Sequence, residues 1–183
     1  MARAKPGSAK ECAGYGAPVV AVVMGSDSDW PVMKETALLL KKLRIPFAVR
    51  VLSAHRAPEE AGEFARKAEK EGIKVIVAAA GGAAHLAGVM ASWSTLPVIG
   101  VPLEGCALSG LDALLSTVQM PGGVPVATVA IGKAGARNAA ILAGRILALS
   151  DKALAGRVAA LRAESRRAVA ATDKRVSEEG RSL

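Results

Sequence analysis

The segment "PVVAVVMGSDSDWP", residues 18–31, decides the fold class, because its pattern changes from that of a strand to that of a helix within a few residues. Residues 18–24 form a short, continuous, Val-rich run, which is typical of a strand buried on both faces of a parallel sheet. A polar loop follows. The helical pattern begins near Trp30, with Pro31 in its first turn and Ser28 or Asp29 as the expected N-cap. The segment therefore predicts a buried strand, a loop and a helix.

The same alternation continues to about residue 150. Each later strand is a short apolar run, and further strands are expected at residues 45–53, 73–80, 96–102 and 124–131. The last helix of the series is expected at 134–149. Regular alternation predicts a three-layer αβα fold of the α/β class, with helices on both faces of a parallel five-stranded sheet. In the first helix, the residues expected to face the sheet are Met33, Ala37, Leu40 and Leu43.

The chain divides into three segments. Residues 1–17 carry basic residues but no apolar signal-peptide core, so we interpret them as a flexible leader. Residues 18–150 form the α/β domain, and residues 151–183 form an extra C-terminal helix and tail. The apolar residues of that helix fall near a heptad spacing: Leu154, Val158, Leu161, Val169 and Val176. The stripe predicts contact with another subunit, although periodicity alone equally allows packing on the helix's own domain.

Composition restricts the class of ligand. The net charge is +8, but more than half of this excess lies outside residues 18–150, and the five aromatic residues are scattered. A nucleic-acid surface would combine a basic stripe with stacking aromatics, so we expect an anionic small molecule and no nucleic-acid partner. No uninterrupted run of about 18 apolar residues predicts a membrane span. Cys12 and Cys106 lack paired spacing, which favours reduced thiols and a cytoplasmic protein.

In an open parallel sheet, ligands bind beyond the carboxyl ends of the strands, so the loops there are the candidate site. In the first loop, Gly25 allows close backbone approach, and Ser26 and Ser28 offer hydroxyls beside the amides of the next helix. This loop suits a phosphate, although for this motif alone an ordinary capped turn is the slightly favoured explanation. The sequence has no Walker lysine and no dinucleotide fingerprint, which argues against ATP and NAD.

The second loop, "SAHRAP" at residues 53–58, combines a proton carrier with an anion binder. Imidazole gains and loses its proton near neutral pH, and a guanidinium can grip phosphate or carboxylate with two hydrogen bonds. His55 and Arg56 therefore indicate acid–base chemistry on an anion. The alternative is a solvated histidine beside an arginine that pairs with Glu59 or Glu60.

The third loop, "AAAGGAAHLAG" at residues 78–88, brings the second histidine, His85, after two consecutive glycines that let a ligand approach the backbone. His85 could equally be a helix-start residue bonded to a main-chain carbonyl. A fourth loop, residues 102–112, could close over the pocket with Gly105 and Gly110 as hinges. Two histidines without acidic or thiol partners do not predict a metal site.

Several motifs follow one another in order between Val19 and Leu149: "MGSDSDW", "SAHRAPE", "AAGGAAHLAGV", "LPVIGVP", "LSGLDALLSTVQMPGGVPVATVAIGKAG" and "NAAILAGRIL". As an ordered set they resemble the class I PurE family, the N5-carboxyaminoimidazole ribonucleotide mutases of purine (IMP) biosynthesis. The resemblance implies a flavodoxin-like catalytic domain at 18–150 in a homo-octamer. It also implies a ribonucleotide substrate whose carboxylate moves from N5 to C4 of the imidazole without metal or organic cofactor.

The resemblance also implies roles for individual residues. His55 matches the family's general acid–base residue, and we take His85 as a second catalytic candidate. Asp29 is placed to accept ribose hydroxyls, and Ser53 and Arg56 lie at the phosphate end. The remaining substrate-binding candidates are Gly25, Ser26, Ser28, Ala54, Gly81, Gly82, Ala83 and Leu86. Two rival interpretations stay open: a carboxylase that uses free carbon dioxide and unmodified aminoimidazole ribonucleotide, and a nucleotide-binding module without catalysis.

Overall fold

The computed structural model describes residues 16–105 and 107–182. Most of the expected leader and both cysteines, Cys12 and Cys106, lie outside these residues, so the predictions made for them are not addressed by the structure.

In the part of the chain that the structure describes, five parallel strands form one sheet in the order β2-β1-β3-β4-β5. Residues of β1 pair on both sides, for example Val20 with Phe47 and with Val75. The strands are β1 (Val20–Met24), β2 (Phe47–Val51), β3 (Val75–Gly81), β4 (Val98–Leu103) and β5 (Ala127–Thr128). The predicted parallel five-stranded sheet is confirmed, with the first strand inside it and flanked by the second and third.

Within the described residues, six α-helices connect and cover the strands, and a short 3-10 turn at Asp27–Asp29 precedes the first of them. They are α1 (Trp30–Lys42), α2 (Pro58–Ala68), α3 (Leu86–Trp93), α4 (Leu111–Val118), α5 (Gly132–Ala148) and α6 (Lys152–Gly180). Side chains of β1 alternate between two cores: Val20, Val22 and Met24 pack with α1, α5 and the start of α6, while Ala21 and Val23 pack with α2 and α3. The predicted three layers are therefore confirmed.

Local boundaries show where the sequence interpretation was correct and where it was not. The four residues of the predicted inward stripe of α1, from Met33 to Leu43, are all buried. The strand expected at 124–131 is only two residues long, and it begins after Pro125, which has no N–H to donate to a strand ladder. Asp29 occupies the N-cap position of α1 without a side-chain capping bond, because its carboxylate accepts a hydrogen bond from the backbone N–H of Ser26 instead.

The C-terminal helix α6 is docked over its first half. Leu154 is buried in the α1–α5 core, Arg157 Nε donates to the Leu43 carbonyl at 2.7 Å, and Lys42 pairs with Glu164. Farther along the same stripe, Val169 and Val176 are 70% and 52% exposed. The alternative of packing on its own domain thus holds for the first half of α6. Among the helices that the structure describes, none is long and apolar enough to span a bilayer.

Candidate active site

A cavity of about 500 Å³ lies at the carboxyl ends of β1, β2 and β3, where three loops meet. Its lining contains twelve of the thirteen residues proposed from the sequence: Gly25, Ser26, Ser28, Asp29, Ser53, Ala54, His55, Arg56, Gly81, Gly82, Ala83 and Leu86. Ala80 and Gly105 line it as well. Gly105 belongs to the fourth loop, expected to close over the pocket, whereas Ala80 was not among the sequence candidates. The thirteenth candidate, His85, does not line the cavity but contacts His55, which does.

The first loop is a tightly hydrogen-bonded turn. Ser26 Oγ accepts from Ser28 N at 3.3 Å, and the Ser26 N–H donates to Asp29 Oδ2 at 3.0 Å, which forms a capping box. Ser28 Oγ also donates to Ser26 Oγ at 2.9 Å. The capped-turn interpretation is therefore correct for the local structure. The same turn lines the cavity with Ser26 and Ser28, whose N–H groups are already used within the turn.

Asp29 is the carboxyl group of this loop that is partly withdrawn from water. Burial raises the pKa of Asp29 above its ordinary value, because the charged form loses hydration. Hydrogen bonds from the backbones of Ser26 and Gly25 and the positive charge of Arg56 oppose this shift in part. A carboxylate held by backbone donors at the pocket wall has a fixed position and can still accept hydrogen bonds from a ligand.

Arg56 connects the second loop to the first. Its Nη2 donates to the Gly25 carbonyl at 3.0 Å, and its Nε lies 3.4 Å from Ser53 Oγ. The alternative pairing of Arg56 with Glu59 or Glu60 is not among the ion pairs of residues 16–105 and 107–182. Arg56 is exposed, and a guanidinium has five N–H donors, so these two contacts orient the group and leave donors for an anion.

The two histidines of the chain contact each other directly. His55 Nε2 lies 2.8 Å from His85 Nδ1, and the ring planes meet at 86° with their centroids 4.9 Å apart. His85 stands at the N-cap of α3 without a side-chain capping bond, so its ring is turned to His55 rather than to the helix. In such a pair one nitrogen must donate and the other accept, so the tautomers of the two rings are linked. The sequence shows each histidine after a strand but does not show this contact.

A further polar residue holds the third loop. Gly82 has a φ of +61°, which permits the bend after β3, and the N–H of Ala84 donates to Ser116 Oγ at 3.0 Å. Ser116 lies on α4, about 30 residues farther along the chain, and was not a sequence candidate because a serine inside a helix carries no pattern of its own. Among the residues that the structure describes, no three His, Cys, Asp or Glu side chains form a group that could hold a metal ion.

Comparison with known proteins gives consistent similarities. Residues 19–168 match the family model for AIR carboxylase. The chain is 52% identical over 163 residues to the N5-carboxyaminoimidazole ribonucleotide mutase of Pyrococcus horikoshii, covering 89% of this chain and 91% of that protein. It is 56% identical over 133 residues to the enzyme of the same name from Escherichia coli, covering 73% and 79%. A crystal structure of PurE from Treponema denticola superposes with a TM-score of 0.78 at 29% identity, covering 86% of this chain and 98% of that one.

Proposed function

The chain belongs to the AIR carboxylase family, and from this membership we propose that it converts N5-carboxyaminoimidazole ribonucleotide to 4-carboxy-5-aminoimidazole ribonucleotide in purine biosynthesis. The observation that carries the assignment to this site is the His55–His85 hydrogen bond beside a cavity that also contains an oriented arginine and a capped serine loop.

We propose that the first two loops bind the ribose 5-phosphate. The hydroxyls of Ser26 and Ser28, with the Arg56 guanidinium and Ser53, supply hydrogen bonds to phosphate oxygens. Asp29 accepts hydrogen bonds from the ribose hydroxyls. The support for this arrangement is that these residues share one cavity wall and are bonded to one another, so binding costs little ordering of the loops.

His55 carries the proton in both halves of the reaction. Protonated His55 donates to N5, the N5–carboxylate bond breaks, and its electron pair remains on nitrogen, which leaves aminoimidazole ribonucleotide and carbon dioxide. C4 then attacks the carbon dioxide to form the new carbon–carbon bond, and neutral His55 removes the proton that remains on C4. The reaction requires no oxidant, reductant or second substrate. Because the pocket holds the carbon dioxide beside C4, the second step does not depend on carbon dioxide diffusing in from solution.

His85 orients the ring of His55, and the tautomer of each ring depends on that of the other. Because His55 Nε2 and His85 Nδ1 share one hydrogen bond, the proton state of one ring limits that of the other. The glycine-rich loop at Gly81 and Gly82, with Ala83 and Leu86, forms the wall against the imidazole and the migrating carboxylate. Its glycines let backbone approach the carboxylate closely.

Replacing the proton carrier tests the assignment. We expect His55→Asn to bind aminoimidazole ribonucleotide with nearly unchanged affinity and to lose about 10²- to 10⁴-fold in turnover, because general acid–base catalysis contributes roughly that factor. Turnover of N5-carboxyaminoimidazole ribonucleotide is followed by the absorbance of the C4-carboxylated product, and affinity by calorimetry. Unchanged turnover would refute the catalytic role, and loss of affinity alone would favour the binding-module alternative.

The carboxylase alternative is distinguished by substrate. The purified chain is given either N5-carboxyaminoimidazole ribonucleotide, or aminoimidazole ribonucleotide with bicarbonate. Efficient turnover of the first supports the mutase. Turnover of the second combined with no turnover of the first would identify a carboxylase.

We further propose a homo-octamer in the cytoplasm. Two surfaces support self-association. One is the outer half of α6, with Val169 and Val176 exposed, and the other is an apolar face on and just before α4, consisting of Leu108, Leu111, Leu115 and Val118, each about half exposed or more. Exposed apolar residues grouped on one helix face are typical of protein–protein contacts.

A further inference from the structure

Ser116 connects helix α4 to the loop that carries His85. Its Oγ accepts a hydrogen bond from the N–H of Ala84 at 3.0 Å. The same oxygen lies 2.9 Å from the Asp112 carbonyl, 3.2 Å from that of Ala113 and 3.4 Å from that of Gly82. A hydroxyl has one proton, so it donates to one of these carbonyls at a time, but it can accept from Ala84 in every case.

The hydrogen bond from Ala84 to Ser116 is partly buried. Ala84 is 2% exposed, and Ser116 itself is half-buried. A buried N–H that loses its partner cannot turn to solvent, so the peptide must move to find another acceptor. The Ser116 hydroxyl therefore constrains the position of the Ala83–Ala84 peptide.

This peptide is separated from His85 by Ala84 alone. On one side the loop bends at Gly82, which has a positive φ, and on the other side α3 begins with the Val89 N–H bonded to the His85 carbonyl. The His85 N–H donates to the Ala83 carbonyl at 2.8 Å. The backbone of His85 is thus set by the start of α3 and by the Ala84 peptide, and the latter is held by Ser116.

We propose that Ser116 is a positioning residue for the histidine pair: through the Ala84 N–H it holds His85 Nδ1 at hydrogen-bond distance from His55 Nε2. A small displacement of the loop breaks this contact, since the two nitrogens are 2.8 Å apart and come from different loops. The kinetic consequence rests on the proposed mutase function, whereas the structural consequence does not.

A pair of variants of equal shape isolates the oxygen. Ser116→Thr keeps the hydroxyl, and Ser116→Val has the shape of threonine without it, while both residues have similar helix propensity. We expect Ser116→Val to lower kcat by about 10- to 100-fold with little change in KM, because a displacement of about 1 Å at the histidine pair can lower the rate by that factor. Thr is expected to restore most of kcat. Ser92→Ala on α3, whose hydroxyl bonds only within its own helix in the part of the chain that the structure describes, is the control and should match the wild type.

A second measurement does not depend on activity. The chain has only two histidines, so nitrogen-15 spectra of labelled histidine contain the ring signals of this pair alone. In the wild type and in Ser116→Thr, we expect a nitrogen–nitrogen scalar coupling across the N–H···N hydrogen bond. In Ser116→Val, we expect this coupling to be lost. If Ser116→Val does not fold, Ser116→Ala removes the same oxygen without adding carbon and takes its place.

The outcomes separate the two proposals. Equal kcat for Ser116→Thr and Ser116→Val would overturn the role of Ser116. A nitrogen–nitrogen coupling that persists in Ser116→Val would do the same. A wild type that does not turn over N5-carboxyaminoimidazole ribonucleotide would instead overturn the proposed function, and the ring spectra would still decide whether Ser116 positions the histidines.

Discussion

At the scale of single residues, the site depends on groups whose positions are set by backbone hydrogen bonds rather than by charge pairing. Asp29 accepts from the Ser26 N–H, Arg56 donates to the Gly25 carbonyl, and Ala84 donates to Ser116. The first contact closes the first loop on itself, the second joins the second loop to the first, and the third joins the third loop to α4. The pocket is thereby organised before a ligand binds, which lowers the entropic cost of binding and catalysis.

Asp29 provides a prediction about pH. Its folded-state pKa is raised, so between the ordinary carboxyl pKa and the raised one the folded state holds more protons than the unfolded state. The free energy of unfolding therefore falls as pH rises through that window and is unaffected by Asp29 below it. We expect Asp29→Asn to gain stability relative to the wild type across the same window, since its amide oxygen can still accept from Ser26.

Denaturant unfolding at a series of pH values from about 3 to 7 measures this difference. Asp27→Asn is the matched control, because it removes one negative charge from an exposed position of the same loop. Identical pH dependence in the two variants would show that burial of Asp29 does not govern the effect.

At the scale of elements, the start of helix α5 depends on a glycine at a close backbone approach. A Cβ added at Gly135, in the first turn of α5, would overlap the carbonyl of Ala130, and a backbone group cannot rotate away. Gly156 in α6 has open space around the same position. Both glycines lie in helices, so a difference in stability between their alanine variants reports on the close approach of Gly135 to Ala130.

We expect Gly135→Ala to lower the free energy of unfolding by at least about 2–3 kcal/mol through overpacking. Gly156→Ala should raise it by roughly 0.5–1 kcal/mol, because alanine loses less backbone entropy in a helix. Chemical denaturation of both variants provides the measurement. A Gly135→Ala protein as stable as the wild type would mean that the start of α5 can shift without cost.

At the scale of the whole molecule, α6 has two halves with different surroundings. The first half carries Leu154 and Arg157, which pack on or bond to the domain, while Val169 and Val176 in the outer half are exposed. A stripe that continues past the end of its own docking surface is suited to a second copy of the chain.

Ending the chain after Arg167 tests this role. The contacts of Leu154, Arg157 and Glu164 remain, so we expect a folded domain, but a mass by light scattering below eight times that of the shortened chain. Val169→Asn with Val176→Asn changes the same surface without shortening the helix. An octamer that survives both changes would exclude the outer half of α6 as an essential contact and leave the α4 face as the candidate.

Local sequence determined the order of strands and helices and the edge of the sheet where the site lies. Continuous Val- and Ala-rich runs are compatible with burial on two faces, and parallel strands place all their carboxyl ends at one edge. For this reason the loops after β1, β2 and β3 could be proposed as one site, and twelve of their thirteen candidate residues line one cavity.

Only the tertiary structure decided the contacts between loops. His55 and His85 are 30 residues apart in sequence, and they meet because β2 and β3 flank β1 in the sheet. Ser116 reaches Ala84 because α4 packs against β3. The docking of only half of α6 follows from where the domain surface ends. The spacing of apolar residues in the sequence indicates which face of a helix or strand is apolar. The packing of the whole chain decides what that face contacts.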